Sequence, residues 1–85
     1  MYTVYIVECA DGTLYTGITT NLKRRVAEHN TSPKGAKYTR SRRPVCVVFT
    51  QRFQTRGKAL RAEAALKKES RGDKVRRIAE HLVYS

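Results

Sequence analysis

Tyr2-Thr3-Val4-Tyr5-Ile6-Val7, then Ala10-Asp11-Gly12, then Leu14-Tyr15-Thr16-Gly17-Ile18: this opening stretch decides the fold. Its flanks are rich in β-branched and aromatic residues and the segment between them carries turn chemistry, which together specify an antiparallel β-hairpin. The register decides what the tyrosines can do, because opposed residues share a face and a one-residue slip sends every side chain to the other face. A two-residue Asp11-Gly12 loop would set Tyr5 against Ile18 and put Tyr5 and Tyr15 on opposite faces. A three-residue Ala10-Asp11-Gly12 loop, with Gly12 in the left-handed conformation, sets Tyr5 against Gly17 with Tyr15 diagonal on the same face. The second register is the expected one. It would leave an open notch at Gly17 beside Tyr5, since glycine inside a strand often marks close approach by a ligand or another backbone. Aromatics also fill sheets for packing alone, so each tyrosine taken singly reads first as an ordinary strand residue.

The chain around this hairpin has 85 residues, enough for a single domain over residues 1–85 with a modest core. Lys and Arg number 18 against 7 Asp and Glu, a formal net charge of +11. Such an excess points to a polyanionic partner, the rival being a merely soluble basic surface. Nucleic acid is favoured over an anionic membrane, because the cations interleave with globular elements and form neither a polybasic tail nor one strongly amphipathic anchor. No apolar run is long enough to span a bilayer and the amino terminus runs straight into a strand, so a cytoplasmic protein is expected. Cys9 and Cys46 lack metal-ligand spacing and are expected as buried free thiols.

Downstream of the hairpin, Thr19-Thr20-Asn21 supplies N-cap candidates for a helix over Leu22–Asn30. At about 100° per residue, Leu22 and Val26 define its apolar side and Arg25 and His29 fall in the same arc, aimed at the sheet or its rim, while Glu28 points outward. An arginine there can simply snorkel, and a lone histidine is more often a hydrogen-bonded core residue than a catalyst. Asn30 to Pro44 is a connector with a helical turn near Ala36–Thr39, crowded by Lys34, Lys37, Arg40, Arg42 and Arg43. With Tyr38 among them it reads as a phosphate-gripping loop whose aromatic either stacks on a base or anchors the loop. The continuous run Val45-Cys46-Val47-Val48-Phe49 opens a third strand to Phe53 and predicts cover on both faces, making it the best-buried strand.

Thr55 caps a helix to about Glu69, with Ala59, Ala62 and Leu66 on its apolar face and Glu63 inside the same arc. A carboxylate so placed is usually paired or bound to a metal, so Glu63 either salt-bridges Arg25 or holds a divalent cation. Arg71-Gly72 then breaks the chain, and Asp73 caps a last packing helix over about 73–83 whose face is Val75, Ile78, Ala79 and Leu82. The fold class is therefore α/β in the α+β sense: a small three-stranded antiparallel sheet flanked by about three helices, in the order β-β-α-β-α-α, with its core over about 2–69. There is no P-loop, no zinc spacing and no serine or cysteine triad pattern.

Tyr5, Tyr15, Gly17, Arg25, His29 and Glu63 thus gather on one small basic frame, and this ordered set resembles the GIY-YIG nuclease superfamily. Thr3-Val4-Tyr5 stands in the place of its first signature and Tyr15-Thr16-Gly17 in that of the second; Arg25 follows Tyr15 by ten residues, His29 lies one helical turn further on, and Glu63 is on the later helix. The resemblance reaches to about Glu69 and is strongest to small stand-alone bacterial proteins that consist of little more than this domain. Thr3-Val4 replaces Gly-Ile and Thr16 the central isoleucine, while both tyrosines and the final glycine remain. Several members carry an asparagine after the glutamate; this chain has none beyond Asn30.

The resemblance implies metal-assisted hydrolysis of a DNA phosphodiester, in repair or in the processing of structured DNA, with RNA not excluded as a partner. Glu63 would ligate one Mg²⁺ or Mn²⁺, with waters and phosphate filling the other positions. Arg25 would neutralise charge on the scissile phosphate, Tyr15 would position water or phosphate, and Gly17 would give the backbone room. Two groups are open for the proton-transfer role. Tyr5 has an ordinary pKa of about 10 and needs a cation to stabilise its phenolate; His29, at about 6.5, suits neutral pH. The alternative is a nucleic-acid-binding module that keeps the fold without useful catalysis.

Overall fold

A computed structural model describes residues 1–84, so Ser85, the last residue of the expected domain, lies outside it. The elements are β1 (Tyr2–Glu8), β2 (Leu14–Thr19), α1 (Leu22–Thr31), α2 (Lys37–Arg40), β3 (Cys46–Phe53), α3 (Arg56–Lys68) and α4 (Arg71–Tyr84). The three strands form one antiparallel sheet in the order β2-β1-β3. The fold is α+β with the expected succession of elements, α2 being the short helical turn of the connector.

The hairpin has the three-residue loop. The Cys9 amide donates to the Thr13 carbonyl at 2.8 Å and the Gly12 amide to the Cys9 carbonyl at 2.9 Å. Gly12 has φ +84°, a conformation in which a side chain would be strained. The Asp11 carboxylate accepts from both the Thr13 amide and its hydroxyl, closing the turn locally. Tyr5 consequently pairs with Gly17 and Val7 with Tyr15.

This register gives β1 two different faces. Val4 and Ile6 join Phe49, Ala59 and Leu66 in one apolar cluster, which α3 covers. Tyr5, Val7 and Cys9 join Val45 in a second, against which Tyr15, Leu22 and Val47 pack. β1, flanked by a strand on each side, is the best-buried strand, with Thr3 to Val7 all buried.

That place was expected for β3, which is instead an edge strand with Cys46, Gln51 and Arg52 exposed. Its unbroken apolar run comes from a bulge: Ile6 pairs with Phe49 but Val7 with Val47, so Val48 is an extra residue. Val47 packs on the Val7 side while Val48 and Phe49 both pack on the Ile6 side. The unbroken apolar run therefore records a broken alternation and not burial between two sheet neighbours. Edge placement also exposes Cys46, expected buried; Cys9 alone of the two free thiols is buried.

Caps set the helix starts. The Asn21 side chain accepts from the Arg24 amide at 3.0 Å at the start of α1, and the Thr55 hydroxyl accepts from Lys58 at the start of α3. α4 begins at Arg71 and not after Asp73, because the Ser70 hydroxyl accepts from the Asp73 amide and Gly72 is helical. Its packing face is also rotated. Ile78 reaches the core and the His81 ring lies 5.2 Å from that of Phe49, whereas Val75 and Leu82 are 48% and 68% exposed and Ala79 is exposed. The inward positions 74, 78 and 81 follow helical spacing, but a lysine and a histidine hide that pattern.

Candidate active site

Tyr5 sits at the middle of β1 with its side chain buried. Gly17 opposite is not an open notch: the Tyr5 ring fills it, and a methyl built on Gly17 would collide with the phenol oxygen and its carbon. The glycine makes room for a side chain, where a ligand or backbone was expected. The phenol oxygen lies 2.7 Å from Nε2 of His29, which α1 delivers fully buried to the same face. On the other side of the imidazole, Nδ1 is 2.9 Å from the hydroxyl of buried Thr39 on α2.

Burial pushes the Tyr5 pKa up to about 12, partly countered by the neighbouring Arg25 guanidinium; the charges of Tyr15 and Glu63 also raise it. His29 is held below its ordinary value, first by burial and then by the positive charge of Arg25, with Arg43 adding to the effect and Glu28 opposing it. In the resting site the phenol is protonated and the imidazole neutral.

Arg25 is half-buried and fixed by its Nη1, which donates to the Glu28 carboxylate at 3.1 Å and to the Lys34 carbonyl at 2.8 Å. Of the two alternatives for Glu63, the salt bridge to Arg25 is not formed. Glu28, expected to point outward, takes Arg25 because residues three apart on a helix are neighbours and both chains are long enough to bend towards each other. Glu63 instead meets Lys67 one turn further along α3 at 3.5 Å; Lys67 is 53% exposed and the carboxylate only 16%.

Tyr15 extends the aromatic group. Its ring stands edge-on to His29 at 5.5 Å and stacks against Tyr38 at 5.8 Å, and the Arg42 guanidinium lies 4.1 Å over the Tyr38 ring. Tyr38 thus anchors the connector to the site, while remaining 39% exposed. Arg42 also donates to Asp11 at 3.1 Å and to the Tyr38 carbonyl at 2.8 Å, tying connector to hairpin. Arg43 donates to the carbonyls of Glu28, His29 and Ser32, closing the last turn of α1 directly behind the imidazole. Of the five connector cations, Lys34, Lys37 and Arg40 are exposed, and the ion pairs among the described residues include none of the three.

Several contributors had no voice in the sequence reading. Thr39 sits in a basic loop where nothing marks one hydroxyl as buried. Gly35 packs against the backbone of Glu28 and His29 so closely that a side chain would not fit, and its position in the connector was the one available signal. Asn30 receives the Val45 amide at 2.7 Å and donates to the Val45 carbonyl at 3.1 Å, latching α1 to β3.

Among the described residues no group of three or more His, Cys, Asp or Glu side chains could hold a metal ion. Glu63 nevertheless fits a hard cation as one oxygen donor, being shielded and, among the described residues, met only by a loose contact to a solvated lysine; water and phosphate would complete the shell.

A hairpin that turns two tyrosines onto one face, beside a helix carrying an arginine and a histidine, defines a small α+β domain built around paired phenols. Residues 1–77 match the GIY-YIG catalytic domain, and the chain belongs to the GIY-YIG family. The family is one of nucleases, so its substrate class is nucleic acid and its chemistry hydrolysis. The chain is 61% identical over 67 residues to a UPF0213 protein of Desulfotalea psychrophila, a match taking in 79% of this chain but only 61% of that relative's length. It is 50% identical over 78 residues to a UPF0213 protein of Streptococcus agalactiae, covering 92% of this chain and 88% of the relative. A protein of E. faecalis solved by solution NMR superposes with a TM-score of 0.67 at 42% identity, over 99% of this chain and 88% of that one. No helix among the described residues is long and apolar enough to cross a membrane.

Proposed function

We propose that this chain is a metal-dependent DNA endonuclease of the cytoplasm, nicking one strand during repair or processing of structured DNA. The observation that carries the reading is the 2.7 Å contact between the Tyr5 phenol and Nε2 of His29 beside Arg25. The two candidates for the proton-transfer role are bonded to each other and act as one unit. Water attacks phosphorus as its proton passes to the Tyr5–His29 pair; the new P–O bond forms as the ester P–O bond breaks, and the leaving oxygen takes a proton from solvent. Arg25 is oriented to neutralise charge growing on the phosphate oxygens. A divalent cation held by Glu63 would supply Lewis-acid stabilisation to the same oxygens. Lys34, Lys37 and Arg40 grip the flanking backbone, contacts that are salt-sensitive and indifferent to sequence.

The test is nicking of supercoiled plasmid and branched oligonucleotides with Mg²⁺, Mn²⁺ or EDTA, wild type against Glu63→Ala. Metal-dependent nicking that disappears in the variant is expected. Binding in EDTA with no cleavage under any ion would favour the binding-module reading.

A further inference from the structure

Thr39 belongs to none of the roles assigned so far, yet it is fully buried and hydrogen-bonded on two sides. Its hydroxyl oxygen lies 2.9 Å from the carbonyl oxygen of Ala36 and 2.9 Å from Nδ1 of His29. A carbonyl only accepts, and a hydroxyl has one hydrogen. Two oxygens at that separation with no proton between them would repel, so the Thr39 hydrogen goes to Ala36. What Thr39 presents to the imidazole is then a lone pair, and Nδ1 must carry the proton. In a neutral ring Nε2 is left bare, and it faces the Tyr5 hydroxyl. The bonds run in one direction: Tyr5 O–H to Nε2, Nδ1–H to Thr39, Thr39 O–H to Ala36.

We propose that Thr39 is a positioning residue that locks His29 in its Nδ1–H tautomer, making Nε2 the acceptor for the Tyr5 proton. The use made of that acceptor rests on the nuclease reading above; the tautomer does not. When the pair works, the Tyr5 O–H bond breaks and the proton moves to Nε2, leaving a phenolate and an imidazolium that keeps its Nδ1–H on Thr39. The phenolate then takes the proton of the attacking water, and the imidazolium returns its own to solvent. With the opposite tautomer Nε2–H would donate to the Tyr5 oxygen, the phenol hydrogen would turn away from the ring, and no base would reach it. Burial first, then Arg25 and Arg43, oppose the imidazolium and Glu28 favours it, so the acceptor is spent only transiently. Ala36 is an apt anchor, because its carbonyl also receives the Thr39 and Arg40 amides at the start of α2 and cannot turn away.

Histidine ¹⁵N NMR on the full chain tests this, with the His29 and His81 signals assigned through His29→Gln. Wild type should show His29 protonated at Nδ1 and bare at Nε2. Thr39→Ser should keep that state, and Thr39→Val should lose it. On plasmid, Thr39→Val should nick about tenfold more slowly or worse at unchanged DNA affinity, with Thr39→Ser within a few-fold of wild type. An Nε2–H tautomer in wild type, or an unaltered Nδ1–H state in Thr39→Val, overturns the proposal. Should Thr39→Val not fold, the wild-type spectrum still decides. A locked Nδ1–H tautomer in a chain that never nicks would uphold the role of Thr39 and sink the nuclease reading.

Discussion

The two faces of β1 are built on opposite rules. Val4 and Ile6 look onto Phe49, Ala59 and Leu66, an apolar layer that gains by excluding water and asks nothing of geometry beyond fit. Tyr5, the residue between them and so on the opposite face, looks onto His29 and Thr39, where every buried polar atom has a named partner. Burial on the first face is worth what its area is worth. On the second it is tolerable only while each hydrogen bond is made, since an orphaned buried donor or acceptor costs about 1–3 kcal/mol. The lesson is that one central strand can supply both the core and a tuned site, provided alternate residues are handed to different chemistry.

The largest expected effect lies on the apolar face. Ile6→Ala should cost about 2–5 kcal/mol by transfer and cavity formation, read as a lowered urea midpoint. If it costs under about 1 kcal/mol, that face is not the principal core. Gly17→Ala probes the polar face and should cost about 1–3 kcal/mol, because a methyl there meets the Tyr5 hydroxyl and must push the ring off His29. Its signature is loss of nicking together with the fall in stability, whereas Ile6→Ala protein that remains folded should still nick.

A third comparison uses pH. The folded-state pKa of His29 is depressed, so its contribution to stability is present above the unfolded value of about 6.5 and is lost as pH falls through that value and below. Protonation would also deprive the Tyr5 hydroxyl of its acceptor. Urea midpoints measured from pH 7.5 to 5 should therefore decline in wild type and decline less in His29→Gln. Equal slopes would mean that His29 is already solvated.

How much of this was legible follows from how local each cause is. The hairpin register was readable because Asp11 and Gly12 act through their own turn, and the starts of α1 and α3 because Asn21 and Thr55 cap their own helices. The arc holding Arg25 and His29 came from helical spacing alone. The edge placement of β3 is not readable, since strand order is a long-range property and the Val48 bulge that makes the apolar run is defined only by the partner strand. Nor were Thr39 and Arg43, whose partners lie 10 and 14 residues away on α1. The inward reach of Glu28 to Arg25 is invisible to an angular wheel, which ignores side-chain length. Gly17 stands out as a glycine inside a strand, but the body approaching it is Tyr5 itself.

The smallest expected effect tests the one place where the two faces break their own rules. Thr16 pairs with Ile6 and so belongs to the apolar side, yet its hydroxyl is buried without a hydrogen-bond partner among the described residues. Val has the same shape and carries no polar group to desolvate. Thr16→Val should leave β2 in register and raise stability by up to about 1 kcal/mol, because removing an unsatisfied buried hydroxyl recovers its desolvation cost. Nicking should be unchanged, since the residue faces away from Tyr5. A loss of 1 kcal/mol or more would show that the hydroxyl is bonded in solution, and then the apolar face, like the other, owes part of its burial to a polar contact.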